Sequence, residues 1–154
     1  MAYIDEGAKE TGCIFCNKFQ EQDPKTALVL AHTRHTVVML NKYPYNNGHL
    51  LVAPKRHENQ LANLPEEEFI ELNEALRRSI EIVRRVLHPG GVNVGMNLGK
   101  CAGAGIEPHL HWHVVPRWEG DTNFMPVVGE TRVMPQHLMD SYDRLQPHFQ
   151  NLLG

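Results

Sequence analysis

No run of about 18 apolar residues, the length that spans a bilayer, occurs in this chain of 154 residues. The N-terminus has neither the basic nor the apolar region of a secretory signal, so the expected location is the cytoplasm. Basic charge is not in excess, since 15 Lys and Arg stand against 18 Asp and Glu, a net charge of −3. That balance supplies none of the broad positive field with which proteins grip nucleic acid, and any phosphate bound here is expected to belong to a small ligand. Only three cysteines are present, an odd count that speaks against a disulfide framework in a chain without an export signal. Internal repeats and low-complexity tracts are absent. The 42% apolar and 21% charged content is that of a packed chain rather than a disordered one, and the length suits a single domain over residues 1–154.

Residues 1–12 are polar and read as a loose lead-in. Ala27 to Leu30 and Thr36 to Leu40 are rich in strand formers. Pro44 and the turn Asn46-Asn47-Gly48 reverse the chain, and His49 to Ala53 enters as a third strand. Pro65 opens a long helix, with Glu66, Glu67 and Glu68 at its start and Arg84 and Arg85 near its end, as the helix dipole favours. Phe69, Leu72, Leu76, Ile80, Val83 and Leu87 step by three or four and predict its buried stripe. Val92 to Asn97 alternates as a further strand. Residues Glu119 to Pro135 read as loop and short strand, and His137 to Leu153 has weak helical spacing. Strands around one long helix predict an α+β fold with an antiparallel sheet.

The centre of the chain is His109-Leu110-His111-Trp112-His113-Val114-Val115, with Pro116 expected to stop it. As a strand it places three imidazoles on one face, about 7 Å apart, and Leu110, Trp112 and Val114 on the other. Packing does not call for such a row. Just before it, Gly99, Gly103 and Gly105 form a loop whose backbone N–H groups can cradle an anion, although the Gly-Lys-Ser/Thr of a P-loop does not follow. Imidazoles beside a phosphate cradle point to phosphoryl or nucleotidyl transfer through a phosphohistidine-type intermediate. A catalytic metal site built on alternate histidines is the competing reading.

Two other constellations carry chemistry. Cys13 and Cys16 have the spacing of half a structural zinc site and are expected in a tight turn, with ordinary thiols and a redox pair as the alternatives. The candidates for the remaining zinc ligands are His32, His35, His49, His57 and the triad. Asn41 and Asn97 each end a predicted strand, where an amide either shapes a turn or bonds a ribose hydroxyl or phosphate oxygen.

The run His109 to Val115, followed by Pro116-Arg117, resembles the His-φ-His-φ-His-φ-φ signature (φ apolar) of the histidine triad (HIT) superfamily. The resemblance extends to Asn41 through Pro54 and to Asn93 through Gly99. Within the superfamily, Tyr43 to Asn46 and Pro116 to Phe124 are most similar to bacterial diadenosine tetraphosphate phosphorylases. The resemblance implies a five-stranded antiparallel HIT fold with one long helix and short accessory helices, residues 129–154 being a C-terminal extension. It implies that His111 is the nucleophile and that His113 contacts the phosphate and assists the leaving group. Asn41 would hold ribose, and Asn97 the phosphate, together with the backbone of Gly103, Ala104, Gly105 and Ile106. His49 would join the nucleotide-binding residues. Cys13, Cys16, His57 and His109 would bind structural zinc. No organic cofactor is implied, and the expected partners are a small nucleotide and a second copy of the chain, with no nucleic acid or membrane. Some relatives carry Ser or Thr before the triad, whereas Gly105-Ile106-Glu107-Pro108 stands here. An adenosine phosphoramidate hydrolase and a non-catalytic nucleotide-binding module are the alternative functions. Trp118 and Phe124 read equally as base-stacking or as core residues.

Overall fold

A computed structural model describes residues 11–106, 108–121 and 135–154. The first ten residues of the lead-in, the direction of Glu107, Phe124 and most of the 119–135 connection lie outside the described residues. The elements with regular hydrogen bonding are α1 (Ile14–Phe19), α2 (Pro24–Ala27), β1 (Val29–His32), β2 (Thr36–Leu40), β3 (Leu50–Pro54), α3 (Glu66–Leu87), β4 (Gly91–Gly95), β5 (Trp112–Arg117) and α4 (Pro135–Leu145), with short 3₁₀ turns between several of them. The strands form one antiparallel sheet in the order β1-β2-β3-β5-β4. This is the α+β HIT fold expected from the triad. Among the described residues no helix is long and apolar enough to cross a membrane.

Alternation along the strands divides the sheet into two faces. Val38, Leu40, Leu50, Val52 and Val114 bury against α3 and α4 on one side. Val37, Met39, Leu51 and Ala53 bury on the other, beneath Phe15 of α1. Leu110 and Trp112 join the first cluster, which leaves the histidines between them on the α1 side.

Several boundaries differ from those the sequence predicts, each for a local reason. Cys13 and Cys16 do not form an isolated turn, because Cys13 is the N-cap of α1 and Cys16 lies inside it. The first strand starts at Val29 rather than Ala27. Asp23 caps Lys25 N–H, Pro24 opens α2, and Leu28 ends it in the left-handed region at φ 62°. Pro116 does not stop the triad strand but pairs with Val92 inside β5. Its carbonyl accepts from Asn46 Nδ2 at 3.0 Å, on the flank where β3 has already ended at Leu50. The proline nitrogen faces the same flank, so its missing N–H costs no ladder bond.

The stripe on α3 is also offset. Its buried residues are Leu72, Ala75, Ser79, Ile82, Val83 and Val86, while Phe69 is 40% exposed and Leu76, Ile80 and Leu87 flank the contact. A helix lying close on a sheet needs small residues at the line of nearest approach, and size-weighted periodicity passes over Ala75 and Ser79. The hydroxyl of Ser79 donates to the Ala75 carbonyl at 2.7 Å, which satisfies it without a partner from the sheet.

Two contacts fix the ends of the fold. Gly48 has φ +77°, a conformation that favours glycine, and a Cβ there would push aside the end of the Leu87 side chain where the turn before β3 passes α3. Tyr142 of α4 donates its hydroxyl to the Val29 carbonyl at 3.0 Å, covering the β1 edge of the sheet. At the opposite edge, Val94 of β4 is 42% exposed and Leu98 beyond it 50%.

Candidate functional site

The connection from β2 to β3 brings His49 beneath β5. The Asn41 amide donates to the His49 carbonyl at 2.9 Å, and the His49 amide to the Asn46 carbonyl at 3.2 Å. Asn46 then ties the loop to the end of β5 through Pro116 and through Asp121 Oδ2 at 2.6 Å, an oxygen that also accepts from Trp118 N–H. The site is therefore braced by side chains as well as by the sheet.

Hydrogen-bond partners determine where each imidazole carries its proton. His49 is fully buried, and its Nδ1 accepts the Tyr45 N–H at 3.1 Å. The proton is thus on Nε2, which donates to His113 Nδ1 at 2.9 Å. That bond in turn places the His113 proton on its own Nε2. His111 is set the opposite way, with Nδ1–H donating to the His109 carbonyl at 2.9 Å, so its lone pair lies on Nε2. His109 donates Nε2–H to the Pro54 carbonyl at 2.7 Å and turns its Nδ1 toward the cysteines. Of the three triad rings, only His111 has both a free lone pair and no neighbouring thiol to spend it on.

Burial holds all four rings below the ordinary histidine range. For His49, burial and then the His113 and His111 rings lower the value to about 3. For His113, burial and then His111 lower it to about 4. In His111 the bond to the His109 carbonyl works against the burial. Histidines of the unfolded chain take up protons near 6.5, whereas His49 and His113 resist doing so in the fold. Their contribution to stability is whole above about pH 6.5 and is lost as pH falls toward the folded values, at about 1.4 kcal/mol per pH unit for each ring. Urea unfolding at pH 7.5 and pH 5 should show a loss of about 3–4 kcal/mol at the lower pH. A variant with His49→Asn and His113→Asn should lose much less, and equal losses in the two proteins would contradict this origin.

A second cluster adjoins the triad. His109 Nδ1 lies 3.4 Å from Cys13 Sγ and 3.6 Å from Cys16 Sγ, and His57 Nδ1 is 3.5 Å from Cys16 Sγ. One donor atom from each of the four residues lies within 4.8 Å of the others. Metal–sulfur bonds near 2.3 Å and metal–nitrogen bonds near 2.0 Å place tetrahedral ligand atoms about 3.3–3.8 Å apart, so these residues fit a metal ion. His57 reaches the cluster from the loop after β3, where the Glu58 carbonyl accepts from Leu110 N–H at 2.8 Å. Of the candidate ligands weighed from spacing, His32, His35 and His49 are not in the cluster. Burial and the Cys13 thiol push the Cys16 thiol up, as happens when two neighbouring sulfurs would both be charged.

The glycine loop leaves fewer amides free than its pattern suggests. Gly103 N–H donates to the Lys100 carbonyl at 3.0 Å and Ala104 N–H to the Gly99 carbonyl at 3.3 Å, closing the turn at Lys100–Ala102. These two amides are spent on the loop itself. Asn97 Nδ2 donates to the Gly103 carbonyl at 3.4 Å. Asn41 faces His49, with Nδ2 at 3.5 Å from its Nδ1, and accepts Tyr43 N–H on Oδ1. It therefore both shapes the turn and borders the imidazoles. His49, counted on resemblance among the nucleotide-binding residues, is fully buried between Asn41 and His113. The sequence by itself does not mark Asn46 or Phe15 as site residues. Asn46 hides as one more turn residue in Asn-Asn-Gly, and Phe15 as an apolar filler between two cysteines.

A five-stranded antiparallel sheet with an alternating row of three imidazoles defines a class, the histidine-triad proteins. The HIT domain family model matches residues 22–120, and the chain belongs to this family. It is 45% identical over 114 residues to AP-4-A phosphorylase of Mycobacterium tuberculosis, an alignment covering 74% of this chain and 58% of that protein. The chain thus spans little more than half the length of that relative. An uncharacterized HIT-like protein of Methanocaldococcus jannaschii is 33% identical over 109 residues, covering 71% of this chain and 81% of its own. Among solved structures, a Zn-bound histidine triad family protein from Mycobacterium smegmatis superposes with a TM-score of 0.74 at 28% identity, covering 92% of this chain and 95% of the other.

Proposed function

We propose that this protein cleaves dinucleoside polyphosphates by nucleotidyl transfer, as a phosphorylase of diadenosine tetraphosphate type. The observation that carries the reading is the hydrogen bond from His111 Nδ1–H to the His109 carbonyl, which frees Nε2 for attack. The similarity to AP-4-A phosphorylase supports the substrate class.

In the first step His111 Nε2 attacks the α-phosphorus. The new P–N bond forms as the P–O bond to the departing nucleoside polyphosphate breaks. Positive charge appears on the His111 ring, where Nδ1–H is already bonded to a carbonyl dipole that stabilises it. His113 Nε2–H donates a hydrogen bond to the departing oxygen. A polyphosphate leaves as a stable anion near neutral pH and needs no full proton. In the second step orthophosphate attacks the same phosphorus, breaks the P–N bond and returns the lone pair to His111. Asn41 holds ribose, while Asn97 and the amides of Gly105 and Ile106 hold the phosphate. His49 acts through His113 by fixing its tautomer.

Cys13, Cys16, His57 and His109 would hold zinc, with all four positions filled and none left for water, so that the metal supplies structure rather than a nucleophile. The Zn-bound relative supports that choice of metal. The same reading makes residues 1–154 one domain, the cytoplasm its compartment, and a nucleotide rather than nucleic acid its ligand. It also makes the chain a homodimer, with the exposed Val94 and Leu98 beside the β4 edge meeting a second copy. Sedimentation should return twice the chain mass, and Val94→Asp should shift it toward the monomer. A monomeric wild type would remove the dimer from the proposal.

Incubation with diadenosine tetraphosphate, with and without orthophosphate, tests the reaction. ADP plus ATP formed only with orthophosphate is the expected result. AMP plus ATP formed without it would make the enzyme a hydrolase. No cleavage in either case would overturn the assignment and favour phosphoramidates or a non-catalytic nucleotide-binding module.

A further inference from the structure

The proposed chemistry makes no use of Phe15, yet this residue touches the reacting ring. It is 1% exposed, and its ring centroid lies 4.8 Å from that of His111 and 5.1 Å from that of His109. His113 borders His111 from another direction, at 4.8 Å and 63°. A hydrogen bond at Nδ1 anchors the His111 ring at one atom only, and the ring can still swing about that anchor. Contact with Phe15 and with His113 restricts the swing.

Phe15 is held in turn by a helix that has little stability of its own. α1 has six residues and no side-chain cap at Cys13, too short to persist alone. Its attachments are Phe15 itself, packed on Val37, Met39, Leu51 and Ala53, the two cysteine sulfurs beside His109 and His57, and the Phe19 ring, which meets His109 edge-on at 5.6 Å. The metal-binding cluster and the nucleophile thus share one short element.

We propose that Phe15 is a positioning residue, and that α1, clamped by Cys13 and Cys16, packs its ring against that of His111, tilted at 45° to it, to hold Nε2 in line for attack. The inference rests on His111 being the nucleophile of the proposed reaction. Misplacement of a reacting atom by about 1 Å costs on the order of 100-fold in rate, so a loosened ring should appear in kcat rather than in KM.

The variants Phe15→Leu and Phe15→Met fill the apolar space without a flat ring, and the second adapts to the cavity if the first does not fold. In the full-length, metal-loaded protein both should keep one metal per chain. With diadenosine tetraphosphate and orthophosphate, KM should stay within about twofold, while kcat falls about 10–100-fold. ¹⁵N NMR of the histidine rings should show an ordered Nδ1–H ring for His111 in the wild type, and in both variants the same Nδ1–H form with shifted signals and greater ring motion. Cys16→Ser, with Phe15 intact, should disturb the same His111 signals. Wild-type kcat in both variants, or lowered kcat with unaltered His111 signals, would overturn the proposal. Unaltered signals in Cys16→Ser would overturn the clamp. A wild type that turns over no nucleotide defeats the reaction assignment instead, and the ring signals then decide the positioning role by themselves.

Discussion

His111→Ala should lose turnover of diadenosine tetraphosphate by about 10⁴-fold or more, the scale on which enzymes lose rate when a covalent nucleophile is removed. No other ring can take its place. His113 Nδ1 accepts from His49 and its Nε2 carries a proton, His109 is committed to Pro54 and the cysteines, and His49 is fully buried. Nucleotide affinity should change by no more than a few-fold, since the groups proposed to hold ribose and phosphate are untouched. Acid quenching with substrate labelled at the α-phosphate should trap label on the wild-type chain and none on the variant. An alanine variant with turnover within tenfold of wild type would end the nucleotidyl-histidine assignment.

Removal of metal should act on stability first. The cluster joins α1, the loop after β3 and the approach to β5, segments as far apart in sequence as Cys13 and His109. Structural metal sites return their binding energy as folding energy. In a chain that also has an apolar core, about 3–5 kcal/mol of it is expected to show, or a fall in Tm of about 10 °C. Thermal unfolding with and without a strong chelator, alongside metal analysis of the untreated protein, measures this. The timing of activity loss separates the two roles of a metal. A zinc that activated water would take the activity with it at once, even in the cold. A structural ion should leave turnover at 10 °C lowered by no more than the Phe15 variants until the chain loosens. Complete and immediate loss in a protein that remains folded would move the chemistry onto the metal.

Much of the sheet and the face of the histidines can be read from alternation alone, because a period of two depends on the pleat and on little else. Leu110, Trp112 and Val114 bury where that period puts them. Features set by tertiary contact are harder to read. Ala75 and Ser79 carry no periodic signal by size, yet both are fully buried on α3. A proline ends a strand only where its nitrogen faces a partner, and the register that spares Pro116 is not visible in the sequence. The glycines of the cradle are easily seen, but which amides the turn uses for itself depends on its folded shape. For the metal-binding cluster, spacing gives the cysteine pair, while the choice among several histidines comes from β3 and the approach to β5 lying side by side.

The pairing of β5 with both β3 and β4 also bears on the order in which the protein is built. The β1-β2-β3 meander joins neighbours in sequence, but β5 must close a long stretch of chain to reach β3, and contacts of that kind form slowly. During synthesis the two cysteines leave the ribosome 96 and 93 residues ahead of the imidazole that faces them. Until then α1 has no ring from the triad to rest on and no complete set of donors to share an ion with. Completion of the Cys13-Cys16-His57-His109 cluster and alignment of the His111 ring are therefore late and nearly simultaneous events. A nascent chain that ends before His109 carries none of the three imidazoles, however well its first three strands have paired.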